Sequence, residues 1–174
     1  LFGFSIGSLL AISAAEQDSR VDSVLCGTLL LPELPPDLIH WAGWQWTWSS
    51  AFFFPQLSIP LGNLVDFRLL LAGHPAGDAV NEDPLIIFDY PVSTLSSLFT
   101  HRSEVGRKAF PFKAAILHGD RDEVLPLSYS ERVVRHCKHP FELQPVSRAG
   151  HMMPWLQTAT LVDLAADWFH RSLG

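Results

Sequence analysis

The feature that most constrains the fold of this chain is the alternation of short apolar runs with helical segments. Residues 21–26 and 114–118 are short, largely apolar runs, which are typical of parallel strands covered on both faces. Residues 141–146 form a third strand-like run, and residues 8–16 and 127–137 have the composition and spacing of helices. This alternation predicts an α/β protein with a parallel sheet flanked by helices.

The middle of the chain follows a different pattern. Between residues 32 and 113 prolines recur, aromatic residues cluster and strand-like alternation is lost. We therefore predict a mostly helical, cap-like insertion over 32–113, flanked by core segments 1–31 and 114–174. A helical stretch is predicted from Asp83 to Phe99 within the insertion, and a closing helix over 155–173. The apolar face predicted for that closing helix comprises Leu161, Leu164, Ala165, Trp168 and Phe169.

Composition and charge narrow the class of protein. Hydrophobic residues make up 48% of the 174 residues and charged residues 17%, which suffices for a buried core and argues against disorder. The formal net charge is −6 and the sequence has no basic run, so no nucleic-acid partner is predicted. Two cysteines are too few for a disulfide framework. Cys137 lies beside His136 and near His139, but no second ligand cluster accompanies it, so no metal site is predicted.

The first chemical signal is the pattern G-x-S-x-G at Gly3, Ser5 and Gly7, which lies between an apolar run and a helix-like run. A serine on a sharp turn between strand and helix exposes its hydroxyl at the carboxyl end of the sheet. Both glycines are expected to relieve crowding at this turn. The backbone N–H of Ile6 is expected to face a developing oxyanion. The alternative is an ordinary Gly/Ser turn before a helix.

Two further signals follow predicted strands. Asp120 and Asp122 come after the run that ends at His118, and a carboxylate there could orient an imidazole. His151 follows the last predicted strand and could exchange a proton with Ser5. A solvated acidic turn and a surface histidine are the alternatives. The chain order of serine, acid and histidine, with all three at one end of a parallel sheet, favours a shared site.

These segments resemble the motifs of α/β-hydrolases. Residues 3–7, 117–126 and 150–152 are similar to the nucleophile, acid and histidine motifs of that family. The long insertion, with Asp83-Pro84-Leu85 inside it, resembles the branch of monoacylglycerol lipases and lysophospholipases.

The resemblance implies the C-terminal half of an α/β-hydrolase fold with a mostly helical cap. It also implies a catalytic triad of Ser5, Asp122 and His151 that needs neither a metal nor an organic cofactor. Asp122 is the later aspartate of the H-G-x-x-D motif, and Asp120 is the fallback for the acid.

The sequence departs from the pattern of this branch near the nucleophile. Phe4 stands where the branch often has histidine, and Ser8 stands where a further glycine is common. Family members have several strands before the nucleophile, and an early loop supplies a second oxyanion donor. The sequence has no such strands, so we expect it to lack the N-terminal half of the fold. Ile6 is then the only oxyanion donor that can be named.

The motifs and the resemblance together predict a serine hydrolase that cleaves a small-molecule carboxylic ester through an acyl-enzyme. The side chains expected to contact a lipid-like or apolar acyl group are Phe4, Trp41, Trp44, Trp48, Phe52 and Met152. The alternative for the aromatic residues of the insertion is that they only hold it to the core. The same segment could contact a membrane surface peripherally, because tryptophan favours interfaces.

The sequence is also compatible with other enzyme activities and with proteins that are not enzymes. A peptidase, a carbon–carbon-bond hydrolase and a cofactor-free haloperoxidase could use the same three residues. Outside enzymes, the chain could be a non-catalytic remnant or a lipid-binding module that keeps the motifs. A cytoplasmic location is expected, although a targeting signal could precede Leu1, and the sequence predicts no oligomeric state.

Overall fold

A four-stranded parallel sheet organises the part of the chain that carries the three motifs. The structure is a computed structural model that describes residues 1–60, 66–71 and 73–174. The described residues form two compact units. The first unit comprises Leu1–Leu34 and Arg102–Gly174, and the second comprises Pro35–His101.

The elements of the described chain are numbered in chain order. The strands are β1 (Phe2–Phe4), β2 (Ser23–Gly27), β3 (Ser58–Pro60), β4 (Asp89–Pro91), β5 (Lys113–Gly119) and β6 (Glu142–Val146). The helices are α1 (Ile6–Gln17), α2 (Leu38–Phe53), α3 (Phe67–Leu70), α4 (Ala76–Glu82), α5 (Val92–Thr100), α6 (Leu127–His136), α7 (Met153–Leu156) and α8 (Thr158–Leu173). A 3-10 turn spans Glu104–Gly106.

The sheet of the first unit has the order β1-β2-β5-β6, and each neighbouring pair is parallel. Phe4 is paired with Gly27, Gly27 with Leu117, and Leu117 with Gln144, so the strands end at one common edge. Every residue of β2 is buried, as its apolar run predicts. The predicted α/β class and parallel sheet are confirmed.

The closing part of the chain covers one face of this sheet. Leu161 and Trp168 of α8 are buried against Leu25 and Leu117, and the remaining members of the predicted apolar face are packed against the same cluster. Each buried apolar side chain of this size contributes about 1.5–3 kcal/mol. The single helix predicted over 155–173 is wrong, because Gln157 has φ −138° and ψ 40° and separates α7 from α8. The Gln157 amide instead donates to the Arg148 carbonyl at 3.0 Å.

The second unit contains helices α2 to α5 and a short antiparallel pair, β3 and β4. The prediction of a continuous helix from Asp83 to Phe99 is wrong for the residues before Val92. Asp83 accepts the N–H of Leu85 in a local turn, residues 89–91 pair with β3, and α5 begins only at Val92. The Asp83 side chain and the proline before Val92 both favour a turn over a continuous helix.

The second unit is shorter than the insertion predicted over 32–113 at both of its ends. Residues 102–112 belong to the first unit because the Glu16 carboxylate accepts the Ser103 hydroxyl and, at 2.9 Å, the Val105 N–H. Val105 and Phe112 are also buried there. Residues 61–65 and 72 of the predicted insertion lie outside the described residues. Within the described chain, none of the helices has both the length and the apolar character needed to cross a bilayer.

Candidate active site

Ser5 occupies the turn between β1, which ends at Phe4, and α1, which begins at Ile6. Its backbone has φ 52° and ψ −121°, a region that residues with side chains rarely adopt. The Ser5 N–H donates to the Gly27 carbonyl at 2.8 Å and thereby fixes the turn to the neighbouring strand. The serine is thus held at the carboxyl edge of the sheet, where the G-x-S-x-G pattern predicts it.

The two glycines of the pattern differ in what their surroundings allow. A Cβ at Gly3 would lie 2.3 Å from the Gly7 carbonyl oxygen, so only glycine fits there. A Cβ at Gly7 would meet no atom within 4 Å. The expectation that both glycines relieve crowding is therefore wrong for Gly7, because the crowding acts only on the strand side of the turn.

Ser8, which stands where a glycine is common, stabilises the same turn through its side chain. Its buried hydroxyl donates to the Gly3 carbonyl at 2.9 Å and lies 3.3 Å from the Gly27 carbonyl. The second of these carbonyls also accepts the N–H of Ser5. Ser8 therefore links β1, β2 and the first turn of α1 around the serine.

The structure brings together Ser5, His151 and Asp122, the three residues predicted to form a triad. His151 Nε2 lies 3.2 Å from Ser5 Oγ, and His151 Nδ1 lies 2.9 Å from Asp122 Oδ2. A carboxylate can only accept a hydrogen bond, so Nδ1 carries the proton and Nε2 presents a lone pair to the hydroxyl. The arrangement is a chain of two hydrogen bonds along which a proton could leave Ser5.

The Asp122 side chain is fully buried and still suited to remain ionised. Burial alone would raise the pKa of Asp122, but the hydrogen bonds from His151, Leu125 and Val124 outweigh it and hold the pKa below its ordinary value. The N–H groups of Val124 and Leu125 both donate to Oδ1 at 2.8 Å, and the Thr28 hydroxyl donates to Oδ2 at 3.3 Å. Sequence reasoning missed Thr28, since a threonine after a strand carries no signal of its own.

A second histidine, His118, lies behind the acid. Its Nε2 is 3.6 Å from Asp122 Oδ2 and donates to the Leu125 carbonyl at 2.9 Å, so Nδ1 accepts from the Ser130 hydroxyl at 2.7 Å. Burial lowers the pKa of His118 and favours its neutral form. This histidine anchors the loop that carries Asp122.

Asp120, the fallback for the acid, is placed elsewhere. Its Oδ1 accepts the backbone N–H of Arg148 at 2.7 Å. The carboxylate that contacts the His151 ring is that of Asp122, the later aspartate of the motif.

The backbone of Ile6 supplies the candidate oxyanion donor. Ile6 is the first residue of α1, and the first N–H groups of a helix have no partner within the helix. The positive end of the helix dipole adds to their attraction for a developing negative charge.

An apolar wall borders the serine and the histidine within the first unit. The Phe4 ring lies 5.2 Å from the His151 ring and 5.9 Å from the Trp155 ring, measured between centroids. Phe4 is half-buried, Trp155 is exposed, and Met152, which sequence reasoning also expected at the substrate, is buried. Trp155 was missed because its place in the chain suggested only the closing helix.

The aromatic residues of α2 divide into two groups within the second unit. Trp44 is 7% exposed and stacks on Phe99, with 5.3 Å between the ring centroids. Trp41, Trp48 and Phe52 are exposed by 48%, 57% and 80%. Trp44 therefore packs its own unit together, whereas the other three present free aromatic surface there.

His139 and Cys137, which raised the idea of a metal site, have different surroundings. His139 lies among phenylalanines, and its Nδ1 accepts the Phe110 N–H at 3.3 Å. Burial, with the charges of Glu33 and Glu16, raises the pKa of Cys137 to about 12. Among the described residues, no group of three or more histidine, cysteine, aspartate or glutamate side chains is placed to hold a metal ion.

Comparison with known proteins gives one family and one fold. The family model described as "Serine aminopeptidase, S33" matches residues 1–154. No curated protein sequence matches the chain significantly.

Several solved structures share the fold. Monoacylglycerol lipase from Paleococcus ferrophilus is similar with a TM-score of 0.66 and 24% identity, over 88% of this chain and 60% of that one. A soluble variant of monoglyceride lipase from Saccharomyces cerevisiae has a TM-score of 0.72 and 15% identity, over 98% and 61%. A thermophilic esterase from Thermogutta terrifontis has a TM-score of 0.64 and 15% identity, over 99% and 64%. The chain thus spans less than two thirds of each of these proteins.

Proposed function

The chain belongs to the α/β-hydrolase family of S33 serine aminopeptidases, and on that premise we propose that it hydrolyses carboxylic esters with apolar acyl groups. The observation that carries this proposal is the hydrogen-bonded chain from Ser5 Oγ through His151 to Asp122. It supplies a nucleophile, a base and an acidic residue that stabilises the charged base. The lipases and the esterase with the same fold support an ester as the substrate.

The reaction begins with attack of Ser5 Oγ on the carbonyl carbon of the ester. His151 Nε2 takes the serine proton, Asp122 stabilises the imidazolium, and the Ile6 N–H donates to the oxyanion. The carbon–oxygen bond to the alcohol then breaks, and His151 returns the proton to the leaving alcohol. Water attacks the acyl-enzyme with His151 again as base, which releases the carboxylic acid and restores the Ser5 hydroxyl.

The apolar wall next to the serine supports the choice of acyl group. Phe4 and Trp155 can cover an alkyl chain whose carbonyl lies at Ser5. Burying an apolar group of that size is worth about 1.5–3 kcal/mol. Met152 is buried and stays a predicted contact of the acyl group. Trp41, Trp48 and Phe52 stay predictions from the sequence, and Trp44 is left out because it is buried in its own unit.

The exposed aromatic residues of α2 also support peripheral contact with a lipid surface, where a lipid-like ester would be found. The net charge of −6 gives no reason to add a nucleic-acid partner. The cytoplasmic location and the lack of a cofactor stay predictions from the sequence.

Peptide hydrolysis is the second candidate, and the description of the matching family model favours it. The same acyl-enzyme chemistry would act on an amide if the leaving amine took the proton from His151. Comparing leucine p-nitroanilide with p-nitrophenyl esters separates the two. Faster Ser5-dependent cleavage of the anilide would replace the ester proposal.

The ester proposal is tested with p-nitrophenyl acetate, butyrate and octanoate on the full chain. We expect kcat/KM to rise with acyl length and Ser5→Ala to abolish hydrolysis. Trp155→Ala should lower kcat/KM for octanoate roughly tenfold and leave acetate nearly unchanged, since it removes apolar contact only for the long chain. A preference for acetate would contradict the apolar acyl site. A folded chain whose hydrolysis is unaffected by Ser5→Ala would overturn the proposal, and a folded chain without any activity would favour a non-catalytic remnant.

A further inference from the structure

The loop that carries the acid and the loop that carries the histidine are held together along their backbones. We call residues 120–126 the acid loop and residues 147–152 the histidine loop. The N–H of Asp120 donates to the Val146 carbonyl at 3.0 Å, and the N–H of Arg121 donates to the Ala149 carbonyl at 2.9 Å. A Cβ at Gly119 would lie 2.2 Å from that second carbonyl oxygen. The two loops are therefore in direct contact.

Two carboxylates besides that of Asp122 cross from the acid loop to the histidine loop. Asp120 accepts the N–H of Arg148, whose backbone has φ 58°, and so holds the turn at the start of the histidine loop. Glu123 Oε2 accepts the backbone N–H of His151 at 3.2 Å. A Cβ at Gly150 would lie 2.7 Å from this same Oε2, so the glycine gives the carboxylate room to reach the backbone.

Resting on the proposed function, we propose that Glu123 is a positioning residue for His151. Asp122 holds the ring at Nδ1, and the adjacent Glu123 holds the backbone N–H of the same residue. Two hydrogen bonds to neighbouring residues of the acid loop thus fix both the backbone and the ring of His151. Glu123 is itself exposed, so it contributes through this hydrogen bond and not through packing.

The test compares Glu123→Ala, Glu123→Gln and the control Glu131→Ala in the full chain. Glu131 is an exposed glutamate on α6 whose Oε2 lies 4.0 Å from Arg135 Nη1. Two quantities are measured: the rate constant for inactivation by a fluorophosphonate, and the NMR signal of the His151 Nδ1 proton, assigned with His151→Gln.

Glu123→Ala should slow inactivation by one to two orders of magnitude and broaden the Nδ1 proton signal, because misplacement of a reacting group by about 1 Å can cost roughly 100-fold. Glu123→Gln should stay within about threefold of wild type, because its amide oxygen still accepts the His151 N–H. Glu131→Ala should match wild type. Gly150→Ala, which crowds the Glu123 carboxylate, should reproduce the loss without altering Glu123.

The proposal is overturned if Glu123→Ala keeps both the wild-type rate and the wild-type proton signal. It is also overturned if Glu123→Gln loses as much as Glu123→Ala, since the charge and not the acceptor would then matter. If Glu123→Ala fails to fold, Gly150→Ala decides by the same two measurements. A wild-type chain that does not react, but whose Nδ1 signal is lost in Glu123→Ala, would contradict the proposed function and support the positioning role.

Discussion

At the scale of single residues, the serine turn combines an unfavourable backbone conformation with contacts that hold it. A side-chain-bearing residue at positive φ outside the regular regions costs about 1–3 kcal/mol. The Ser5 N–H donates to the Gly27 carbonyl of β2, the Ser8 hydroxyl donates to the Gly3 carbonyl of β1, and Gly3 allows the first turn of α1 to come close. The turn therefore depends on Gly3 far more than on Gly7.

Alanine substitutions at the two glycines should have opposite effects. Gly3→Ala should prevent the turn from closing and lower the free energy of unfolding by several kcal/mol, because its Cβ would overlap backbone atoms. Gly7→Ala, in the first turn of α1, should be neutral or stabilising by up to about 1 kcal/mol through higher helix propensity. Urea unfolding followed by circular dichroism measures both. Equal destabilisation by the two substitutions would contradict this account of the turn.

His139 gives a residue-scale prediction that depends on pH. Burial lowers the pKa of His139, so below its ordinary value of about 6.5 the unfolded chain binds a proton that the folded chain does not. The contribution of neutral His139 to the free energy of unfolding is therefore fully present above about pH 6.5. It is lost as the pH falls through the lowered pKa, and the free energy of unfolding then decreases by up to about 1.4 kcal/mol per pH unit. His118 adds to this loss, since burial lowers its pKa as well.

His139→Phe, which keeps an aromatic ring among Phe112 and Phe141, isolates the contribution of His139. The urea midpoint is measured at pH 7.5 and pH 5.5 for both proteins. Wild type should lose more stability on acidification than the variant. Equal losses would show that His139 is not held neutral by burial.

The residues that the sequence predicted at the site are those whose place follows from the ends of strands. Ser5, Asp122 and His151 each come after a strand-like run, and the parallel order brings them to one edge. Thr28 and Glu123 act through hydrogen bonds that depend on how each loop turns, which residue spacing does not encode. The open space around Gly7 likewise depends on three-dimensional neighbours.

At the scale of elements, apolar runs predicted β2 and β5 well because these strands are buried on both faces. β3 and β4 were missed because each has three residues and ends in proline, which is too short for an alternating pattern. The same pairing explains why the helix predicted from Asp83 begins only at Val92. Short elements fixed by tertiary pairing leave little trace in the sequence.

The helix α2 offers a matched pair of tryptophans for a test of packing. Trp44→Ala should destabilise the second unit by about 3–5 kcal/mol, because it removes a buried ring stacked on Phe99. Trp41→Ala removes an exposed ring and should change stability by about 0.5 kcal/mol or less. Thermal unfolding followed by near-ultraviolet circular dichroism compares the two. A loss at Trp41 as large as that at Trp44 would mean that the exposed face carries packing energy.

At the scale of the whole molecule, the chain contains a unit with the parallel sheet and a second unit rich in exposed aromatic residues. The family match covers residues 1–154 and so extends across both units. The net charge of −6 provides no overall electrostatic attraction to an anionic lipid surface, so we expect apolar contact to provide any binding. Exposed aromatic residues together with a negative net charge predict no preference for anionic lipids over neutral lipids.

Binding to vesicles should therefore be at least as strong for neutral phosphatidylcholine as for vesicles with added phosphatidylserine. The triple variant Trp41→Ala, Trp48→Ala and Phe52→Ala should lose most of this binding, because it removes exposed aromatic surface that favours the interface. Co-sedimentation with vesicles measures both effects, with Trp155→Ala as the control. Unchanged binding of the triple variant would exclude α2 as the contact surface.

The central claim is that Ser5 is a nucleophile activated by His151 and Asp122, and mapping a fluorophosphonate adduct tests it most directly. The full chain is treated with the reagent, digested and examined by peptide mass spectrometry. We expect the adduct on Ser5. We also expect the rate of labelling to fall by a factor of roughly 100 or more in His151→Ala and in Asp122→Asn. A folded chain that carries no adduct, or carries it on another residue, would contradict the claim.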